Sequence, residues 1–358
     1  KDGHERKVFL NFLLEIRDDL NPEISESEAI EMLAQHIITK PVFDSLFEKN
    51  KFTKNNPVSI AMEKILSIIY NYQIDNENKS LDKFYKSVER RSQGIVTTSG
   101  RQKLILELYD RFFRNAFPLV TKKLGIVYTP VEIVDFIIHS ADEVMKQEFN
   151  KSLNNKNVNI LDPFSGTGTF ITRLLDSGII KKNNLNYKYK NEIHANEIVL
   201  LAYYIATINI ESIYNELLDE KKYVPYEGMV LTDTFQLFEQ EKDMIADLLP
   251  DNSNRRTSQK EKKFSVILGN PPYSAGQRSA NDNAANADYP NLDQRIEQTY
   301  SAASSSTNKQ NLYDSYVRAF KWASERIEDQ GIIGFVTNAG WIDGNAFDGL
   351  RKCFSDDF

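Results

Sequence analysis

The sequence predicts an α/β protein, in which an all-helical region precedes a mostly parallel sheet with crossover helices. Three observations predict it. Residues 1–124 carry apolar side chains at helical spacing throughout, whereas from about residue 125 short apolar runs alternate with helical patterns. The short runs also end in glycine, proline or acidic residues, at the edge where open parallel sheets bind ligands. A length of 358 residues suits two domains, here 1–124 and 125–358.

In the first region Ser25-x-x-Glu28 has the spacing of a capping box ahead of AIEMLAQHII, a helix that Pro41 is expected to end. PVSIAMEKILSIIYNY (57–72) places a proline at a helix start, and Leu104, Leu108, Phe112 and Phe117 recur at near-helical spacing. These stripes read as core, and the region shows no catalytic constellation.

In the second region VNILDPF (158–164) reads as a strand and FITRLLDSGII (170–180) as the helix after it. NEIHANEI (191–198) is a weaker strand before the helical VLLAYYIATINIE. MVLTDTF (229–235) and FSVIL (264–268) are the next strands, followed by a helix at LYDSYVRAFKWASERI (312–327) and a strand at GIIGFVTN (331–338). Polar stretches at 251–263, 279–291 and 301–310 are expected to be surface loops. The cluster Arg255, Arg256, Lys260, Lys262 and Lys263 within the first of them reads as a solvated charge run rather than a phosphate contact.

Composition narrows the function classes. Hydrophobic content of 41% and charged content of 27% are ordinary for a globular protein, and no apolar run reaches membrane-helix length. With no signal segment at the start, a cytoplasmic location is expected and no membrane partner. The single cysteine, Cys353, excludes an internal disulfide framework, and His4, His36, His139 and His194 show no metal-ligand spacing, so no metal is expected. The net charge of −7 divides unevenly: 20 Lys+Arg against 18 Asp+Glu in residues 1–124, and 24 against 33 in the remainder. An acidic second region suits a cationic cofactor better than a polyanion.

DPFSGTGTF (162–170) is a strand-to-helix loop whose Gly166 and Gly168 let backbone approach a ligand closely. It lacks G-x-x-x-x-G-K-[ST], so it is not built to grip a nucleotide triphosphate. Asp162, Glu197 and Asp233 end the first three strands, at positions suited to a ribose diol and an adenine amino group. Glu192 competes with Glu197, because the second strand is not cleanly bounded. The fourth strand runs into Asn270-Pro271-Pro272-Tyr273, a stiff row of acceptors beside an aromatic ring. Together these ends point to an adenosine-containing, positively charged cofactor beside a planar substrate.

This order of motifs resembles the S-adenosylmethionine-dependent N6-adenine DNA methyltransferases in which cofactor motifs precede the catalytic one. YTPVEIVDFI (128–137), DPFSGTGTF and NPPY carry the likeness, and GIIGFVTNAGWI is similar to a later strand of that family. The stretches NPPYSAGQRSANDN, YPNLDQRIEQTY and NLYDSYVRAFKWASERI resemble the type ISP single-polypeptide restriction-modification enzymes. The resemblance, over about residues 99–358, implies a Rossmann-like methyltransferase sheet preceded by a coupler-like helical domain. It implies Thr129 at the methionine carboxylate, Asp162, Pro163, Phe164, Gly166 and Gly168 around the methionine part, Glu197 at the ribose and Asp233 at the adenine. Asn270 and the Pro271 carbonyl would bind the target amine, Pro272 would stiffen the segment, and Tyr273 would stack on a flipped adenine of double-stranded DNA. Nuclease, translocase and target-recognition domains of a parent chain are implied partners. Residues 339–358 are expected to be too few for the last antiparallel strand pair and a second stacking aromatic, so the domain is expected to be truncated. Other readings stand beside it: methylation of cytosine N4 or of a protein glutamine, or a fragment that binds cofactor without turnover.

Overall fold

The computed structural model describes residues 3–46, 52–69, 78–92, 95, 100, 103, 104, 107, 129–218, 223–239, 249–272 and 289–358. Among the described residues the helices α1 (His4–Asp19), α2 (Glu26–Leu46), α3 (Phe52–Asn55), α4 (Pro57–Ile69) and α5 (Asn78–Ser92) come first. The capping box forms as expected: Ser25 N–H donates to Glu28 Oε2 at 2.8 Å and Glu28 N–H to Ser25 Oγ at 3.2 Å. Pro41 does not end α2, which continues through it to Leu46. An internal proline costs about 3 kcal/mol in lost hydrogen bonding and crowding. Val42, Phe43 and Leu46, all buried beyond it, offset that cost. Leu104 is buried in the same core, while Leu108, Phe112 and Phe117 lie outside the described residues.

After α6 (Val131–Phe149) come β1 (Ile160–Asp162), α7 (Thr169–Asp176), α8 (Lys182–Asn191), β2 (Ile193–Glu197), α9 (Leu200–Leu218) and β3 (Met229–Leu231). A 3-10 turn (Phe235–Phe238), α10 (Pro250–Lys260), β4 (Phe264–Gly269), α11 (Pro290–Ile296), α12 (Ser315–Arg326) and β5 (Ile327–Phe335) follow. The chain then makes α13 (Gly340–Asp343) and α14 (Asp348–Asp357). The sheet order is β3-β2-β1-β4-β5 and every pairing is parallel. β1 and β4 are neighbours in space but not in sequence, so the strand order reverses between them. A crevice opens at such a switch point, outside the carboxyl ends of the strands.

Side chains alternate between two cores, as the strand period requires. Ile160, Ile193, Ala195, Val266 and Leu268 join the core containing α6, α7 and α9, whereas Leu161 and Ile267 join Phe235, Tyr289, Leu292 and Trp322. α9 is the exception to amphipathic design: every residue from Leu200 to Ser212 is buried. One side packs on β2 and β3 and the other on α2. Phe43 and Phe52 meet the Tyr204 ring edge-on at 6.0 and 5.6 Å, and Asn56 Nδ2 donates to the Tyr203 hydroxyl at 3.1 Å. A helix buried on every side keeps no solvent face, and here it is shared by the helical region and the sheet.

The stretch 251–263 is not a surface loop. Most of it is α10, which starts with Pro250 in its first turn and lies along the edge strand β3. Its composition misleads because its buried partners are polar. Asn252 exchanges hydrogen bonds with the Leu231 backbone (2.9 and 3.0 Å), substituting for a missing neighbour strand, and also donates to Asp19 at 3.1 Å. Arg256, 5% exposed, pairs with Asp18 and Asp19 at 3.4 and 3.3 Å. Part of the supposed solvated charge run is therefore an interior joint between α1 and the sheet. Tyr289, at the end of the second polar stretch, is also fully buried. Among the described residues no helix is long and apolar enough to cross a membrane.

Candidate active site

Across the carboxyl edge of the sheet, the turn after β3 carries Asp233, β2 ends in Glu197, β1 ends in Asp162, and β4 runs into Asn270. Asp162 and Asn270 flank the switch point. The two strand ends are so close that a Cβ on Gly269 would lie 3.0 Å from Asp162 Oδ1. Thr129, just before α6, reaches the same place: Asn270 Nδ2 donates to its hydroxyl at 3.0 Å. Pro271 and Pro272 continue from Asn270, while Tyr273 lies outside the described residues.

The loop between β1 and α7 is braced on both sides. Glu197 Oε2 accepts from Gly166 N–H at 2.8 Å and its Oε1 from Val199 N–H at 2.9 Å. The Pro163 carbonyl accepts from Thr234 Oγ1 at 2.6 Å, and the Phe164 ring packs against Phe235 and Phe335 at 5.5 and 6.2 Å. Gly168, at φ +84°, has no room for a side chain, since a Cβ would sit 3.1 Å from the Ala206 backbone on α9. Gly166, at φ +53°, is different: a Cβ there would meet nothing within 4 Å. Among the described residues, the backbone at Gly166 thus faces open space beside the Glu197 carboxylate.

Burial raises all three carboxyls. Asp162 is 1% exposed, its Oδ2 has no hydrogen-bond partner among the described residues, and burial pushes its pKa up to about 8, with the Glu197 charge adding to the effect. Glu197 is pushed up to about 7 by burial, against the N–H groups that favour its charged form. Asp233 rises to about 6 for the same reason, opposed by the Tyr289 hydroxyl, which donates to Oδ2 at 2.8 Å, and by Phe235 N–H, which donates to Oδ1 at 2.9 Å. Asp233 therefore also caps the 3-10 turn. A carboxylate has about four acceptor sites, so two such bonds do not exhaust it.

Raised carboxyl pKa values fix the sign of a pH effect. A carboxyl whose folded pKa exceeds its unfolded value is fully compatible with folding at low pH and destabilises as pH rises through the folded value. With values of about 6, 7 and 8, the ligand-free protein is expected to lose thermal stability from about pH 5 to pH 8. Melting curves check this, and Asp162→Asn should flatten the upper part of the slope.

Glu192, the rival for the Glu197 role, stands at the opposite edge of the sheet. Ile193 pairs with Ile160 at the start of both strands, so Glu192 precedes β2. Its Oε2 pairs with the buried Lys188 ammonium at 2.7 Å and its Oε1 accepts from Asn157 N–H at 2.6 Å. The sequence reading missed Asn196 and Thr234, which hydrogen-bond each other at 3.2 Å behind the loop, and Tyr289, which holds Asp233. The run Thr232-Asp233-Thr234, three polar residues directly after an apolar strand, was the available signal. Among the described residues no group of three His, Cys, Asp or Glu side chains could hold a metal ion.

This geometry has close counterparts. The chain resembles the ATP-dependent Type ISP restriction-modification enzyme LlaBIII bound to DNA, at 47% identity and a TM-score of 0.91, over 98% of this chain and 24% of that one. A nuclease-deletion mutant of the Type ISP enzyme LlaGI, in complex with a DNA substrate mimic, is 44% identical with a TM-score of 0.92 over 100% of this chain and 29% of that one. The DrdV–DNA complex is 35% identical with a TM-score of 0.89, over 99% and 34%. The chain thus spans about a quarter to a third of the length of these relatives. No curated protein sequence matches it. The coupler domain of type ISP restriction-modification enzymes matches residues 1–100, and the Eco57I restriction-modification methylase matches residues 68–358. The chain belongs to the Eco57I restriction-modification methylase family, with a type ISP coupler as its helical part.

Proposed function

We propose that the chain transfers a methyl group from S-adenosylmethionine to the N6 amine of an adenine flipped out of double-stranded DNA. It would do so as one module of a larger restriction-modification enzyme, with residues 1–124 as coupler and 125–358 as methyltransferase. The observation that carries this reading is the meeting of Asn270-Pro271-Pro272 with Asp162 at the sheet's switch point, beside the open backbone of Gly166.

The residues suit that cofactor. The partnerless Oδ2 of Asp162 is a buried acceptor that a positively charged ligand would satisfy, and open space at Gly166 admits close approach. Glu197 would take the ribose hydroxyls, Asp233 the adenine amino group and Thr129 the methionine carboxylate. S-adenosylmethionine, when bound, would supply an electrophilic methyl group, its S–CH3 bond breaking as the N–CH3 bond forms and the neutral thioether S-adenosylhomocysteine leaving. Asn270 Oδ1 and the Pro271 carbonyl would accept the two N–H bonds of the target amine. Its lone pair is otherwise delocalised into the ring, and two fixed acceptors stabilise the positive charge that grows on nitrogen during attack. Prolines at 271 and 272 hold φ, so the acceptors need no reorganisation. Tyr273 would stack on the flipped base, and stacking worth about 1–3 kcal/mol offsets part of the unstacking cost. The proton on the methylated nitrogen is acidic and passes to water.

Labelled S-adenosylmethionine, plasmid DNA and the full-length polypeptide, followed by nucleoside analysis, test the reading. Label is expected in N6-methyladenine; label in N4-methylcytosine or in protein would overturn it. Residues 1–358 alone are expected to bind the cofactor, to bind DNA weakly with strong salt dependence and little sequence preference, and to methylate slowly or not at all. Tight, site-specific footprinting by this chain alone would contradict that expectation.

A further inference from the structure

Three consecutive side chains after β3 reach three different parts of the molecule. Thr232 Oγ1 donates to the Asp19 carbonyl at the end of α1 (2.9 Å), Asp233 Oδ2 accepts from Tyr289 (2.8 Å), and Thr234 Oγ1 donates to the Pro163 carbonyl (2.6 Å). The middle contact joins the cofactor pocket to the stretch of chain that follows Asn270-Pro271-Pro272, because Tyr289 lies at the end of that stretch and immediately precedes α11. Tyr289 is fixed on both sides. The Phe235 ring meets it edge-on at 5.2 Å, and the Arg318 guanidinium of α12 lies 5.3 Å from its ring centre. Arg318 is itself gripped by both oxygens of Asp293 on α11, at 2.7 and 2.8 Å. A phenol wedged in this way has its hydroxyl aimed at Asp233.

A buried carboxylate stays charged and oriented only while donors face it. Asp233 has the Phe235 and Gln236 N–H groups on its own turn, the Tyr289 hydroxyl ahead of α11, and the more distant positive charge of Arg318 on α12. Glu239, the acidic neighbour at the start of α11, is occupied by the N–H groups of Asn291 and Leu292 at 2.9 and 3.1 Å. Among the described residues, Tyr289 is the one hydrogen-bond donor to Asp233 that follows the catalytic motif, and Arg318, further along the chain, adds only its charge.

We infer that Tyr289 is a positioning residue of the cofactor pocket: its hydroxyl orients Asp233 as an acceptor for the adenine amino group. Cofactor affinity therefore depends on how Tyr289, immediately ahead of α11, is seated. This rests on the cofactor assignment proposed above. It also gives the pocket a means to register the substrate side without any residue of that side touching the cofactor.

Tyr289→Phe removes one oxygen and keeps the wedged ring. The dissociation constant of S-adenosylmethionine, measured by calorimetry on the full chain from about pH 5.5 to pH 8.5, is divided by that of the unsubstituted chain, which cancels the titrations of Asp162 and Glu197. Loss of a donor raises the Asp233 pKa above its present value of about 6, so the variant stays protonated where the unsubstituted chain is ionised. The ratio is expected to be roughly tenfold near pH 6 and to shrink as pH rises through the shifted value. When Tyr289→Phe is added to Asp233→Asn and compared with Asp233→Asn alone, this pH dependence should vanish. A ratio of one, or a loss equal at every pH, would assign Tyr289 to packing alone and overturn the inference. A flat ratio with intact binding by the unsubstituted chain leaves the cofactor assignment standing, whereas absence of binding by that chain overturns the assignment and the role of Tyr289 together.

Discussion

Asn270→Ala in the full-length polypeptide is expected to slow methyl transfer by roughly 100- to 1,000-fold while leaving S-adenosylmethionine affinity within about twofold. The side chain lies at the mouth of the switch-point crevice, where its Nδ2 is tied to Thr129 Oγ1 at 3.0 Å. That bond fixes the amide plane. In the proposed reading Asn270 accepts charge that exists only as the methyl group is transferred, so its loss should appear in the rate and not in cofactor binding. Thr129→Val, which frees the amide plane, should slow transfer by a smaller factor and, given the place proposed for Thr129 at the methionine carboxylate, also weaken cofactor binding. Single-turnover transfer and calorimetry separate the two quantities. A variant that binds cofactor poorly but transfers at the normal rate would place Asn270 in the cofactor pocket.

The largest effect on stability is expected at the other edge of the sheet. Lys188 is wholly buried, and its ammonium donates to the carbonyls of Asn155 and Val158 as well as to Glu192 Oε2. Burial pushes the Lys188 pKa down while the Glu192 contact opposes that shift. Lys188→Met leaves Glu192 buried without its counter-charge and is expected to cost about 3–5 kcal/mol in urea denaturation, whereas the double variant Lys188→Met, Glu192→Leu should recover most of the loss. Equal destabilisation in the single and double variants would show that the Lys188 contacts to the two carbonyls, not the ion pair, hold this edge.

The contrast between these two edges shows what could be read from the chain in advance. Strands and crossover helices were visible in the alternation of short apolar runs with helical patterns, and the loops at the strand ends marked the candidate site by their glycines, prolines and acids. Glu192 and Glu197 could not be separated, because register decides which end of β2 each occupies, and register depends on β1 rather than on β2 itself. α10 was misread because a helix whose buried face meets backbone carbonyls and aspartates carries no apolar stripe. Tyr289 escaped notice because its partner, Asp233, lies more than 50 residues away in sequence and obeys no period. Pro41 was overestimated as a terminator, since local propensity yields to burial of the turns beyond it.

The all-round burial of α9 has a consequence for protein engineering. A chimaera that exchanged the helical region of this chain for that of a relative, cutting anywhere before β1, would set foreign side chains against Tyr203 and Tyr204 while keeping the native sheet beneath them. The graft boundary that respects the packing is three-dimensional rather than linear. α9, although it follows β2, travels with the helices, and so do Asn252 and Arg256 of α10, which close on Asp18 and Asp19.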